Sequence, residues 1–207
     1  AFNAQAQFWG NKKVKGNGEI TTVVRTTSDY DGIKCAGSFD YVLVKGTEGN
    51  ITIEGESNLL EYITTEVKNN TLIVKTDNNI SLQTSRNKTI KITIPFESIS
   101  LVSLAGSGDL WNEDLITSTD FNVALAGSGD VKLTVETRNT TAKVAGSGDL
   151  TLKGNTTDLE VDVAGSGDFH GFDLISTNTN VSVAGSGDAK VVCNENLTAR
   201  VAGSGTI

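Results

Sequence analysis

Methionine is absent from the 207 residues, and proline and histidine each occur once. No apolar run approaches the ~18 residues that a spanning helix needs, so a transmembrane helix is excluded. Basic residues are in the minority, 17 Lys and Arg against 25 Asp and Glu, for a formal net charge of −8. An acidic surface repels phosphates, which argues against nucleic acid and anionic membranes as partners. No His/Cys cluster has zinc-ligand spacing. The Gly-x-Gly units are too short and too often repeated to be phosphate loops, and no GK[ST] follows them. The lone His170, beside Gly171, carries no triad signature and reads as a surface residue. Cys35 and Cys193 sit near opposite ends of the chain and are expected to be isolated thiols.

What is present is repetition. Thr, Asn, Ser, Val and Ile are abundant and favour strands and turns. A charged fraction of 20% with 37% hydrophobic residues describes a folded chain. The pentapeptide AGSGD stands at Ala105, Gly106, Ser107, Gly108 and Asp109. It returns with Gly127, Ser128, Gly129 and Asp130, and again with Gly146, Ser147, Gly148 and Asp149. Further copies hold Gly165, Ser166, Gly167 and Asp168, then Gly185, Ser186, Gly187 and Asp188. A last AGSG at 202–205 is followed by Thr206 where an aspartate would stand. Alanine to alanine, the intervals are 21, 19, 19, 20 and 18 residues. A period near 20 is the signature of a solenoid, and Gly-Ser-Gly in every copy argues against helices.

The segments between copies read as strands. In residues 149–163, Leu150 and Leu152 alternate with polar residues, GNTTD makes a turn, and Leu159, Val161 and Val163 alternate again. Val131, Leu133, Val135, Ala142 and Val144 repeat the pattern, as do Phe169, Phe172, Leu174, Val181 and Val183. The expected fold is all-β, a single-stranded right-handed parallel β-helix with coils of 18–21 residues. Right-handedness is chosen because the coil length varies, unlike strict hexapeptide helices. In such a stack AGSGD forms a column of tight corners. Glycine accepts φ > 0 and leaves no Cβ against the next coil. Serine can bond locally or to its copy, and alanine is expected at an inward corner. The stacked aspartates would repel by ~0.9 kcal/mol per pair in water at ~4.8 Å. They must be exposed, bridged by cations, or bonded to turn amides; the last is expected, as a local Asx-type contact. No cofactor is expected. Calcium is the cation considered, but the β-roll pattern GGxGxD has a different spacing and half the period.

Residues 1–16 read as a tail or N-terminal cap and 17–207 as one β-helix domain, with irregular coils over 17–100 and regular ones over 101–207. Ala36-Gly37-Ser38-Phe39-Asp40 is one substitution from the motif. Leu59, Leu60, Tyr62, Ile63 and Val67 lack clean alternation, and a separate N-terminal β-domain is the alternative. Nine or ten coils would make a rod ~45 Å long. Glu54 and Glu56, and Asp158, Glu160 and Asp162, occupy alternate strand positions and read as solvated faces.

The AGSGD coils, preceded by SFDYVLVKGTEGNITIEGESNLLEYITTEVKNNTLIVKT, resemble the putative auto-transporter adhesin, head GIN domain family. The resemblance covers roughly residues 17–205. It implies a β-helix similar to pectin-lyase-like proteins, without catalytic residues, in secreted or envelope proteins largely of Bacteroidetes, with a role in cell adhesion. The tripeptide Gly-Ile-Asn does not occur; the nearest string is Gly32-Ile33-Lys34.

The expected function is a non-enzymatic module of the cell surface or periplasm that binds glycan or protein partners. It does not insert into membranes, and its oligomeric state is left open. The start AFNAQAQ is compatible with the remnant beside a removed secretory signal. A lyase-like polysaccharide-processing enzyme and a self-assembling structural module are the alternatives. Exposed aromatic ladders of the kind that bind sugars are lacking, and Trp111 is the one large aromatic just after a motif.

Overall fold

The computed structural model describes residues 12–207. It is a β-solenoid whose strands from Ile20 to Gly203, apart from Ile80–Gln83, form one 14-stranded sheet system. The regular part holds β10 (Leu101–Gly106), β11 (Leu110–Asn112), β12 (Ile116–Gly127), β13 (Val131–Gly146), β14 (Leu150–Gly165), β15 (Phe169–Gly185) and β16 (Ala189–Gly203). Each pairs in parallel with the same segment of the next coil, and Ala105, Ala126, Ala145, Ala164, Ala184 and Ala202 lie in register. Five continuous coils thus run from the corner at Gly106 to the corner at Gly203.

The alternating residues make the core. Leu150, Leu152, Leu159, Val161 and Val163 are all buried, as are their counterparts in β13. Stacking places each on its copy one coil away, so every coil shields its neighbours from water. The bend between the two halves of each coil is polar inside. Thr137, Thr140 and Thr156 hydroxyls join one another at 2.6–3.1 Å, and buried Ser176 bonds Thr179 and donates to Val192 O. A buried hydroxyl is tolerated where it is bonded in this way.

Phe172 departs from the expected inward pattern and is 66% exposed. Here β15 bulges: it takes three residues from His170 to Asp173 where β14 takes two from Thr151 to Lys153. The extra residue turns Phe172 outward, while Leu174 returns to the core.

The N-terminal half is not a set of earlier coils in chain order. β3 (Gly32–Gly37) and β4 (Asp40–Lys45) form a first coil, and β3 stacks directly on β10, placing Ala36 on Ala105 and Gly37 on Gly106. Between them the chain runs to the far side of this coil. There β7 (Thr71–Thr76) pairs in parallel with β3, and β9 (Lys91–Phe96) with β4. Three antiparallel strands finish that end: β6 (Ile63–Lys68) on β7, and β5 (Asn50–Glu56) on β9 with β2 (Ile20–Thr26) beyond it. The stretch from Leu59 to Ile63 is a 3-10 turn leading into β6, with Leu59, Leu60 and Ile63 buried. Seven corner rows, not nine or ten coils, stack along the axis, which gives roughly 29 Å between the first row and the last. Of the N-terminal tail or cap, Lys12–Lys15 form β1, paired with β8 (Ile80–Gln83). Residues 1–11 lie outside the described residues. Cys35 is buried and Cys193 half-buried, both as free thiols.

Candidate functional site: the repeat corner and the face beside it

Each AGSGD copy leaves the strand at its first glycine, where φ lies between 122° and 139° at Gly106, Gly127, Gly146, Gly165 and Gly185. The first glycine therefore holds the left-handed backbone. The second glycine is the inward residue: Gly108, Gly129, Gly148, Gly167 and Gly187 are buried, whereas the alanines expected at an inward corner are exposed. A Cβ on Gly148 would lie 2.0 Å from Gly129 O, and one on Gly146 would lie 2.3 Å from Gly127 O. The coils thus meet backbone to backbone. Ser147 and Gly148 both donate their amides to Gly127 O, at 2.8 and 3.0 Å, and every copy repeats the arrangement. The serine side chains themselves are exposed.

The aspartates form a ladder between coils and not a local Asx turn. Asp109 Oδ1 accepts the amide of Asp130 at 3.1 Å, and Asp130 Oδ1 faces that of Asp149 at 3.4 Å. Asp149 accepts from Asp168 at 3.1 Å, and Asp168 from Asp188 at 2.7 Å. Thr206 ends the ladder, donating its amide at 2.8 Å and its hydroxyl at 2.9 Å to Asp188. These bonds, the hydroxyl's first, hold the Asp188 carboxyl below the usual carboxylate range. The bond to the next coil's amide opposes the repulsion between neighbouring carboxylates, most of them half-buried. Each aspartate of the column thus has a fixed partner in the next coil.

A second column escaped the sequence reading. Asp120, Asn139, Asp158, Asn178 and Asn196 lie in register at the other corner. Asn139 donates to Asp120 at 2.7 Å, Asn178 to Asp158 at 2.8 Å, and Asn196 to Asn178 at 2.8 Å. Its spacings, 19, 19, 20 and 18, copy those of the motif, which is the signal that could have found it.

Two residues beyond each aspartate an outward column holds Trp111, Lys132, Thr151, His170 and Lys190. Its side chains face the carboxylates: Lys132 Nζ lies 3.8 Å from Asp130 Oδ2, and His170 Nε2 lies 3.8 Å from Asp149 Oδ2. Half-buried Trp111 opens onto a depression of about 380 Å³ lined with Asn112, Lys132, Thr134, Thr151 and Lys153. Asn112 is fixed there by bonding both the amide and the carbonyl of Thr134. The expected solvated carboxylates Glu54, Asp158 and Glu160 are exposed and Asp162 is half-exposed.

Glu56 is the exception, with no solvent-exposed surface. It is thinly roofed by the loop at Gly16–Gly18, not sunk in the core. It accepts the amides of Gly18 (2.5 Å) and Ser85 (2.8 Å) and the Ser85 hydroxyl (2.6 Å). The Ser85 hydroxyl is the chief cause that lowers its pKa, against the opposing effect of burial. A Cβ on Gly16 would sit 2.1 Å from Glu56 Oε2, so the loop must pass here as glycine. Glu56 pins the N-terminal segment to the end of the solenoid.

This architecture has known relatives. A putative adhesin from Bacteroides fragilis superposes with a TM-score of 0.82 at 19% identity, over 94% of this chain and 98% of that one. A putative lipid binding protein from Parabacteroides distasonis gives 0.73 at 22% identity, over 95% and 100%. A putative adhesin from the same species gives 0.66 at 19%, over 94% and 98%. No curated protein sequence matches the chain. The family described as "Putative auto-transporter adhesin, head GIN domain" matches residues 29–207, nearly the whole chain, and this protein belongs to it.

Proposed function

We propose that this protein is a non-enzymatic adhesive module, secreted or displayed at the cell surface or in the periplasm, and that it binds a surface glycan through the face carrying Trp111. The observation that carries the reading is the depression at Trp111. It joins an accessible indole to polar side chains contributed by successive coils at ~4.8 Å spacing. A broad amphipathic ring beside fixed donors is a common anchor of recognition sites. The stacked coils make this face rigid, so little ordering entropy is lost on binding. The two glycines of each motif are taken up by stacking, and one oxygen of each aspartate by the amide of the next coil.

Binding of the folded chain to immobilised polysaccharides and to extracellular matrix proteins tests the proposal, with Trp111→Ala as the variant. Saturable glycan binding that weakens at least tenfold in Trp111→Ala supports it. Glycan binding unaffected by the substitution, or binding to proteins alone, overturns it. Turnover of an acidic polysaccharide by the wild-type chain would overturn the non-enzymatic part.

A further inference from the structure

The outward column beside the aspartate ladder changes its chemistry at one row. Lys132 and Lys190 can only neutralise a carboxylate. His170 is the single histidine of the chain, and it can donate a lone pair. It stands on the coil of Asp168 and faces back onto Asp149 of the coil before. One carboxylate oxygen from each aspartate and one imidazole nitrogen all lie within 4.8 Å of one another. We propose that Asp149, Asp168 and His170 form a site for one divalent first-row transition-metal ion of the zinc, nickel or cobalt class. This goes beyond the adhesive reading and does not depend on it.

Three features favour the assignment. The first is anchorage. Asp149 and Asp168 each spend Oδ1 on the amide of the next coil, which leaves Oδ2 free to ligate. Ligating carboxylates are held in this way by hydrogen bonds from outside the coordination sphere. The second is distance. Ligands at ~2.0–2.2 Å from an ion stand some 3–4 Å apart, so these half-exposed side chains need to close by about 1 Å. The third is the donor set. Calcium takes oxygen ligands, whereas an imidazole nitrogen beside two carboxylates suits zinc, nickel and cobalt. Of the column's other members, Thr151 and Lys190 flank His170 in register on either side. Lys190 is the competing cation, and it acts on Asp188.

Titration of the untagged chain with Co²⁺ and Zn²⁺ tests the site, read by calorimetry and by the visible absorption of bound cobalt. Circular dichroism confirms the fold of each variant. The expected result is one ion per chain. His170→Ala and Asp168→Asn each weaken binding at least tenfold, as loss of a ligand does. Asp168→Asn keeps the ladder acceptor, so its effect reports on the ion and not on stacking. Asp130→Asn, at a row without histidine, leaves binding unchanged. Equal affinity in His170→Ala, several equivalent ions per chain, or no saturable binding below about 1 mM would overturn the proposal.

Discussion

Gly148→Ala places a methyl against the backbone of the coil before it, and its cost can be worked from the geometry. The added Cβ would sit 2.0 Å from Gly129 O and 3.1 Å from Gly129 C and N. Ordinary contact begins near 3.4 Å. The two coils must therefore part by more than an ångström, and the obstacle is backbone, which cannot rotate away. Parting them strains the amide bonds of Ser147 and Gly148 to Gly127 O. Two lost bonds cost about 2 kcal/mol and overpacking about 1–3 kcal/mol, about 3–5 kcal/mol together. In a chain of this size that lowers the melting temperature by roughly 6–20 °C. The exposed neighbour Ala145 provides the control: Ala145→Ser stays within about 0.5 kcal/mol. Thermal and urea unfolding of both variants check the contrast. A Gly148→Ala protein as stable as wild type would refute the claim that the coils touch through this glycine.

Other substitutions separate the remaining parts of the account. Glu56 has a folded pKa below its unfolded value of about 4.3, so its stabilisation is present above that pH and is lost as pH falls through the folded pKa. Urea unfolding followed from pH 7 to pH 3 should show a shallower acid loss in Glu56→Gln than in wild type; parallel profiles would remove Glu56 as the pin. Phe172→Ser should leave the urea midpoint within about 0.5 kcal/mol of wild type, because the ring is 66% exposed on its bulge. A core-sized loss there would mean that the ring packs inward. Gly16→Ala should raise proteolysis at the N-terminal segment, since its Cβ would displace the fixed Glu56 carboxylate.

The coils were legible in the sequence because their information is local and periodic. Leu150, Leu152, Leu159, Val161 and Val163 announce two half-buried strands, and the return of AGSGD every coil sets their register. The near-copy at Ala36 marked its own row. The order of the N-terminal coils was not legible, since alternation in β5 or β9 reads the same in parallel and antiparallel pairs. Glu56 looked like Glu54 because its burial is imposed by Gly16, Gly18 and Ser85, all distant in the chain. Phe172 misled because a bulge shifts alternation by one residue, and the one clue was that its coil has 20 residues where the two before it have 19. Composition shows that two glycines are needed, but only the stacked backbones show that both are crowded and that the first alone is twisted. The Trp111 depression was half visible, as a tryptophan after a motif, whereas its walls come from the two coils that follow.

The central claim is that each aspartate of the repeat holds the amide of the next coil. Hydrogen exchange of the Asp168 amide in Asp149→Ala and Asp149→Asn measures that bond alone. With alanine the acceptor is gone, the amide loses a bond of ~1.5–3 kcal/mol, and its exchange should quicken at least tenfold while Asp109 and Asp130 keep wild-type rates. With asparagine an oxygen remains in place, and the rate should stay near wild type. Equal exchange at Asp168 in wild type and Asp149→Ala would contradict the ladder, and with it the account of why the chain repeats AGSGD.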